Sequence, residues 1–357
     1  MKKIYTTILI LILQSSIFTL QSFSQAVPVI AWQKCLGGSD FDMANGIQQT
    51  ADGGYIVVSY TNSNDGNVSG NHGGADVWIV KLDGAGSIQW QKCFGGTQDD
   101  DAFSIQQTAD GGYVFAGRTS SNDGDVTGNH GGNYDCWVVK LDGTGTIQWQ
   151  KCLGGTGEDE ATAIQQTADG GFVFAGWTTS DDGDVTGYIG SLDYWVVKLD
   201  TAGIIQWQKC LGGTDNDYGY ALCLAADGGC VVAGGSDSND SMVSGNHGYR
   251  DYWVAKLDTV GSLQWQICLG SSWDDEPSSV LQTFDGGYLV GGGVFSSTSG
   301  NVSGGHGNYD YWIAKLNPAG VFQWQKCLGG SEDDYSSSVQ QTADGGYVMT
   351  GMSLSND

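Results

Sequence analysis

The chain has 357 residues, including 58 glycines and 3 prolines, and its 40 acidic side chains outnumber 14 basic ones, for a net charge of −26. This charge opposes binding to phosphate backbones and anionic lipid heads, so we expect neither nucleic acid nor a membrane surface as a partner. Because 40% of the residues are hydrophobic and 11% aromatic, the chain can bury a large core and is not a disordered acidic tail.

The first 26 residues have the features of a secretory signal peptide. Lys2 and Lys3 give a basic start, an interrupted apolar stretch covers residues 8–20, and small residues follow up to Ala26. The apolar part is too short to span a bilayer comfortably. We therefore expect an exported protein, secreted or at the cell surface, with no membrane insertion after the signal is removed.

One unit of 58 or 59 residues repeats along the chain, marked by the tryptophan of the phrase WQKC and its variants. This tryptophan recurs at Trp32, Trp90, Trp149, Trp207, Trp265 and Trp324. Within one unit we predict four strands, separated by Asp-Gly and Gly-Gly turns: Ala102–Thr108, Tyr113–Thr119, Tyr134–Leu141 and Thr146–Leu153. About six such units predict an all-β β-propeller. A parallel β-helix is the alternative, although its coils are normally far shorter than this period.

The segments SIQQTADGGYVFAG (104–117) and DCWVVKLDGTGTIQWQKCLGG (135–155) resemble the tandem propeller repeats of secreted bacterial proteins. They are most similar to the glycine-rich exported repeat proteins of the Bacteroidetes that use the type IX secretion route. The resemblance covers residues 28–357 and implies a propeller fold, export and a C-terminal sorting domain. It leaves function open, because propellers host binding, scaffolding and catalysis alike.

We expect one propeller domain over residues 27–357. Its repeats lie at about 42–94, 100–153, 159–211, 217–269 and 276–328, with a partial repeat at 335–357. Residues 28–37 are predicted to form a lone fourth strand that closes the ring. The last unit stops before its third strand, and no sorting domain is recognised. We therefore expect the chain to be a fragment of a longer open reading frame.

Residues that recur in every unit are predicted to be architectural. The repeated tryptophans should pack between blades, and lysines such as Lys140 and Lys151 should cover apolar surface and pair with carboxylates. The cysteines should be mostly buried free thiols, with Cys223 and Cys230 the one local candidate for a disulfide. The histidines of the NHGG loops, such as His72, should structure those loops.

Most of the 40 carboxylates fall in the blade-to-blade loops and the loops between second and third strands, which propeller topology brings to one face. We call this the acidic face. Turn chemistry and solubility explain such carboxylates. The alternative is calcium, a hard cation bound by clustered oxygens. The candidate calcium ligands are Asp65, Asp123, Asp125, Asp182 and Asp184, and no cofactor is otherwise required.

Positions that break the repeat are the candidate recognition sites. One position near the end of the second strand is assigned to Tyr60, Arg118, Trp177, Gly235, Val294 and Ser353. Variation on a constant scaffold is how repeat proteins acquire specificity, and neutral drift is the alternative. Trp273 and Arg250 are further departures on the same face. The predicted ligand-binding residues are Tyr60, Arg118, Trp177, Trp273 and Arg250.

Two functional classes follow. The first is a monomeric, non-enzymatic propeller, exported or at the cell surface, that binds glycans or proteins through the acidic face. The second is a glycoside hydrolase-like carbohydrate-active enzyme or its accessory module, in which a pair such as Glu158 and Glu160 supplies acid and base. Acidic clusters recur in every unit, whereas catalysis needs one distinctive pair. We therefore favour the binding class and predict no catalytic residue.

Overall fold

The fold is all-β. The computed structural model describes residues 30–295 and 299–356, and these ranges contain 22 strands and no helix. The strands are β1 (Asp42–Gln49), β2 (Tyr55–Thr61), β3 (Asp76–Leu82), β4 (Ile88–Phe94), β5 (Asp100–Gln107), β6 (Tyr113–Thr119), β7 (Asp135–Leu141), β8 (Ile147–Leu153), β9 (Asp159–Gln166), β10 (Phe172–Thr178), β11 (Asp193–Leu199), β12 (Ile205–Leu211), β13 (Asp217–Leu224), β14 (Cys230–Ser236), β15 (Asp251–Leu257), β16 (Leu263–Leu269), β17 (Asp275–Gln282), β18 (Tyr288–Phe295), β19 (Tyr309–Leu316), β20 (Phe322–Leu328), β21 (Asp334–Gln341) and β22 (Tyr347–Ser353). The described residues therefore include no helix that is long and apolar enough to cross a membrane. The predicted signal peptide lies outside the described residues.

The strands form antiparallel sheets in chain order, which we number 1 to 6. Sheets 1 to 5 have four strands each (β1–β4, β5–β8, β9–β12, β13–β16 and β17–β20), and sheet 6 has two, β21 and β22. The first strands of successive sheets contact each other, which places them at the hub and the fourth strands at the outer edge. This is the predicted β-propeller, with the sheets as blades. The four predicted strands of residues 102–153 match β5–β8 to within two residues at each end.

The phrase TADGG builds the turn between first and second strands. In sheet 2 the N–H of Thr108 donates to the carbonyl of Gly112 at 2.9 Å, and Gly111 adopts φ +82°, which glycine tolerates best. Asp110 in this turn accepts the Thr108 hydroxyl and pairs with the buried ammonium of Lys140 at 2.9 Å. The lysine position of Lys140 therefore pairs with a carboxylate, as predicted. At the position of Lys151 the prediction is not confirmed, since the equivalent Lys92 donates to the carbonyl of Gly145 at 2.8 Å.

The hydrophobic core lies between the sheets. Trp137 of sheet 2 is fully buried in a core cluster that also contains Ile56 and Val77 of sheet 1. On the outer strands, Trp207 of sheet 3 lies beside the turn glycine Gly261 of sheet 4, and its Nε1 donates to the Thr259 carbonyl at 3.1 Å. The repeated tryptophans thus pack between neighbouring sheets, as predicted.

All nine cysteines are free, and every one except Cys35 is buried. The expectation of mostly buried free thiols is confirmed, and Cys223 and Cys230 form no disulfide. Burial raises the pKa of the Cys152 thiol to about 12. Such a thiol stays protonated at neutral pH and is a poor nucleophile.

The inter-sheet loops and the loops between second and third strands lie together on the predicted acidic face. In sheet 2 the N–H and hydroxyl of Thr97, in the preceding inter-sheet loop, donate to the Asp123 carboxylate at 2.8 and 2.9 Å. His130 stabilises the loop between the second and third strands of sheet 2, since its N–H donates to Asp135 at 2.8 Å. In sheet 3 the N–H of Ile189 does the same to Asp193 at 2.7 Å. The histidine position therefore structures the loop, as predicted.

The expected closing strand at residues 28–37 is not observed. The described part of this segment, residues 30–37, carries no strand. Residues 34–357 form one compact unit, within which sheet 6 keeps its two strands. The face of β22 is accordingly more exposed than that of its counterparts, with Val348 and Met352 about half exposed (48% and 55%).

Candidate functional site

The first strands begin and the second strands end side by side at the hub on the acidic face. Three positions per sheet vary here from unit to unit, and we call them the hub rim. The second residues of the first strands are Met43, Asp101, Glu160, Tyr218, Glu276 and Tyr335. The fourth residues are Asn45, Phe103, Thr162, Tyr220, Ser278 and Ser337. The second-strand residues paired with the former set are Tyr60, Arg118, Trp177, Gly235, Gly293 and Met352.

The sequence-based assignment of this ring was wrong in the last two sheets. Gly293 pairs with Glu276, and Met352 pairs with Tyr335, so these are the rim residues. Val294 pairs instead with a buried aspartate, Asp275, in the position that Thr119 holds in sheet 2. Ser353 likewise pairs with a buried aspartate, Asp334, and is not a rim residue. The assignment was one residue too late in these two sheets: the rim residue is the sixth of each second strand, whereas Val294 and Ser353 are the seventh of theirs.

Arg118 bridges two neighbouring sheets. Its Nε and Nη2 donate to Asp101 at 3.1 and 2.9 Å, and its Nη1 donates to Glu160 of sheet 3 at 2.7 Å. The guanidinium lies 4.4 Å from the ring centre of Tyr134, a cation–π contact. Burial raises the pKa of Glu160, and the charge of Arg118 opposes that rise. This arginine stabilises the carboxylate that it bridges.

Arg250 makes the equivalent bridge between sheets 4 and 5. Its Nε and Nη2 donate to Asp237 at 3.0 and 3.2 Å, and its Nη1 donates to Glu276 of sheet 5 at 3.1 Å. The guanidinium lies 4.5 Å from the ring centre of Tyr218. Of the five predicted ligand-binding residues, both arginines therefore hold the scaffold together, and contact with a ligand stays a prediction for them.

The structure does not bring the five predicted ligand-binding residues together in one place. Tyr60 and Arg118 line one cleft of about 430 Å³ between sheets 1 and 2. Trp177 is half-buried, and its ring centre lies 6.3 Å from that of Tyr218 in sheet 4. Arg250 lines a larger cleft of about 690 Å³ on sheets 4, 5 and 6, which we call the aromatic cleft.

Trp273 belongs to a row of aromatic rings that reaches the aromatic cleft. Its ring centre lies 5.8 Å from that of Tyr249 and 5.3 Å from that of Phe295. The row continues from Phe295 to Tyr309 at 5.4 Å and from Tyr309 to Tyr335 at 5.3 Å. Tyr309 and Tyr335 are both in the wall of the cleft. Sheets 4 to 6 thus carry an aromatic surface that the repeat does not require.

Four further residues of the aromatic cleft were missed from sequence: Tyr220, Glu276, Tyr309 and Tyr335. Three of them are rim positions of the first strand. The signal that could have found them was present, since the second and fourth residues of each first strand also vary between units. Only the strand pairing shows that these separate positions meet.

The five candidate calcium ligands serve as hydrogen-bond acceptors for loop backbone. Asp65 accepts the N–H of Ser39 at 2.7 Å, and Asp182 accepts the N–H of Thr156 at 2.7 Å. Asp123 holds Thr97 in the same way, while Asp125 and Asp184 each accept a longer bond of 3.4 Å from a glycine N–H. Within residues 30–295 and 299–356 no three His, Cys, Asp or Glu side chains converge as a metal site needs. Calcium binding stays a prediction.

The acid and base proposed for the enzyme alternative have other partners. Glu158 accepts the Nδ2 of Asn133 at 2.5 Å, and Glu160 accepts the Arg118 guanidinium and a hydrogen bond from Trp177. A general acid must instead present its proton to the bond that breaks.

No protein-family model matches this chain. One curated relative, the regulatory protein FlaEY of Caulobacter vibrioides, is 25% identical over 299 residues, which are 76% of this chain. The chain spans about a third of that relative's length (31%).

Solved structures resemble the chain over most of its length at low identity. A protein of unknown function from Dyadobacter fermentans has a TM-score of 0.48 and 14% identity, covering 85% of this chain and 88% of its own. Another, from Bacteroides caccae, has a TM-score of 0.45 and 10% identity, covering 80% and 82%. A putative gluconolactonase has a TM-score of 0.44 and 12% identity, covering 88% and 87%.

Proposed function

We propose that this chain is a non-enzymatic binding module that takes an extracellular glycan or protein ligand at the hub rim of its acidic face. One observation supports the proposal: the combination of the three rim residues is different in every sheet, whereas the tryptophans, lysines and buried aspartates around them repeat. Repeat proteins acquire specificity by such variation on a constant scaffold. The rim also lies where the two clefts open.

The contacts of the repeated side chains support binding over catalysis. Repeated lysines pair with turn carboxylates, repeated tryptophans pack between sheets, and repeated aspartates accept backbone amides. Glu160, one of the two carboxylates of the enzyme alternative, is held by Arg118. The rim is therefore the surface on which residue types are free to differ from one unit to the next.

The proposal also includes export of the protein from the cell. The basic and apolar start of the chain and its net charge of −26 favour a secreted or surface-attached protein, carried by the type IX route that the repeat resemblance implies. N-terminal sequencing of the protein recovered from the medium or the cell surface tests this part. A mature chain starting near residue 27 is expected, and an intact Met1 on the recovered protein would contradict it.

Retention on immobilised ligands tests the binding function. The purified protein is applied to a panel of neutral and anionic polysaccharides and of extracellular matrix proteins, and bound protein and released reducing ends are both measured. We expect retention on at least one member with no release of reducing ends. Release of reducing ends would establish the enzyme alternative, and no retention on any member would overturn the binding proposal.

A further inference from the structure

The aromatic cleft has a wall of mixed chemistry. The rings of Tyr220, Tyr309 and Tyr335 stand beside the charged groups of Arg250 and Glu276. Its volume of about 690 Å³ falls within the range of roughly 300–1,000 Å³ usual for small-ligand sites. The cleft can therefore admit a short polymer segment or a ligand of a few rings.

The aromatic side chains remain partly open to solvent. Tyr335 is 39% exposed, and Trp273 and Tyr249, at the far end of the aromatic row, are 49% and 63% exposed. Exposed tyrosine and tryptophan rings present an apolar face and a polar edge, which suits them to contacts with amphipathic ligands. A ligand can extend from the cleft along this row.

The charges of the wall exclude an anionic ligand. Glu276 and Asp274 place two carboxylates beside the single guanidinium of Arg250. Arg250 already donates to Asp237 and Glu276, so it does not offer an unpaired positive charge. A phosphate, sulfate or uronate group would meet net negative charge here.

The uncharged polar groups of the wall favour a ligand that both donates and accepts hydrogen bonds. The Oγ of Ser336 is buried and has no hydrogen-bond partner within the described residues. Burial raises the pKa of the Tyr309 hydroxyl to about 12, so it stays protonated and can donate. A cation would use the carboxylates and the tyrosine ring faces but would be repelled by the guanidinium, whereas a polyhydroxylated ligand can use hydroxyls, carboxylates and guanidinium together.

We propose that the aromatic cleft binds a neutral oligosaccharide, with sugar rings against Tyr309 and Tyr335 and sugar hydroxyls hydrogen-bonded to Glu276, Arg250 and Ser336. This inference rests on the proposed binding function and assigns it a site and a ligand class. It also gives the aromatic row a role, as the path along which further sugar units lie.

Titration of soluble probes with matched variants tests the inference. The probes are neutral oligosaccharides (of glucose, mannose, xylose and N-acetylglucosamine), oligogalacturonate as the anionic probe, and a lysine-rich peptide as the cationic probe. The variants are Tyr335→Ala, Tyr335→Phe, and Phe284→Ala as the control. Phe284 is 72% exposed in a turn of the opposite face, so its removal costs no contact in the cleft. Thermal melting of each variant verifies that it is folded.

We expect at least one neutral oligosaccharide to bind, Tyr335→Ala to weaken it by about tenfold, and Tyr335→Phe and Phe284→Ala to bind as the unmodified chain does. Binding that Tyr335→Ala leaves unchanged would overturn the site and leave the binding function standing. Binding of the anionic or cationic probe alone, or retention on matrix proteins alone, would overturn the ligand class. Failure of every probe and every immobilised ligand would remove the binding function and this inference together.

Discussion

The side chain of Arg250 covers the backbone of Gly235, because a Cβ placed on Gly235 would collide with the Cδ and Cγ of Arg250. In sheet 2 the position of Gly235 is occupied by Arg118, and the position of Arg250 by Tyr134. The guanidinium comes from the second strand in sheet 2 and from the residue just before the third strand in sheet 4. Two sequence positions have exchanged roles, and the bridge between neighbouring sheets is kept.

This relationship predicts that Gly235→Ala destabilises the protein. The new methyl group must displace Arg250 and weaken its bonds to Asp237 and Glu276, at a cost of about 1–3 kcal/mol. Gly293→Ala is the matched control, since its Cβ would have no atom nearer than 3.8 Å. Urea unfolding measures both free energies. Equal effects of the two substitutions would contradict the overlap of Arg250 with Gly235.

The bridge of Arg118 predicts a pattern in a double-mutant cycle. Arg118→Met removes the positive charge that faces Glu160 and Asp101. We expect the free energy of unfolding to fall by about 2 kcal/mol, because the bridge is only partly exposed. Adding Glu160→Gln should recover part of this loss, since the carboxylate no longer needs a partner. Additive effects of the two substitutions in chemical unfolding would show that the residues do not interact.

The outer tryptophans predict a contrast between sheets. Trp207→Ala removes a ring that packs on the next sheet and donates to its turn, and we expect a loss of about 3 kcal/mol. Trp324→Ala should cost about 1 kcal/mol or less, because this ring is 40% exposed. Both values come from the same unfolding experiment. A larger effect at Trp324 than at Trp207 would be incompatible with packing between sheets.

Buried aspartates predict that stability falls at high pH. Burial raises the pKa of Asp100, Asp193 and Asp251 to about 6 and that of Asp275 to about 8. The folded chain therefore holds protons that the unfolded chain releases near pH ~3.9. The contribution of these protonated aspartates to the free energy of unfolding is complete below pH ~3.9 and is lost as the pH rises through about 6 and then 8.

The turn aspartates make the stability of the protein depend on pH in the opposite direction. Hydrogen bonds from Thr167 and Thr283 and from the nearby lysines lower the pKa of Asp169 and Asp285 to about 2, so their contribution is lost as the pH falls from ~4 towards 2. We expect the highest melting temperature between about pH 4 and 6 and a decline above it. Asp275→Asn should flatten the decline above pH 7. A melting temperature that rises from pH 6 to pH 9 would refute the assignment.

The fold could be predicted from the sequence because each repeat unit carries the same pattern of strands and turns. Tryptophan spacing gave the period, and Asp-Gly and Gly-Gly turns gave strand ends to within two residues in sheet 2. The roles of Lys140 and Trp207 followed from repetition, since a side chain needed once per blade is most simply architectural. Propeller topology also predicted which loops share a face, which Thr97 and Asp123 confirm.

The candidate site could be predicted only in part, because it depends on which strands pair. Counting along β18 gives Gly293, not Val294, as the sixth residue and hence the rim residue, and its pairing with Glu276 agrees. The bridging contacts of Arg118 and Arg250 depend on partners 42 and 26 residues away in the next sheet. No periodicity encodes such contacts, so their structural role could not be anticipated.

The most direct test of a binding function at the hub rim is hydrogen–deuterium exchange of the protein with and without the strongest-binding probe of the panel. We expect slower exchange at the rim, at residues 218–220, 276–278 and 335–337, with no change in the TADGG turns of the opposite face. Protection of those turns with an unaffected rim would contradict it.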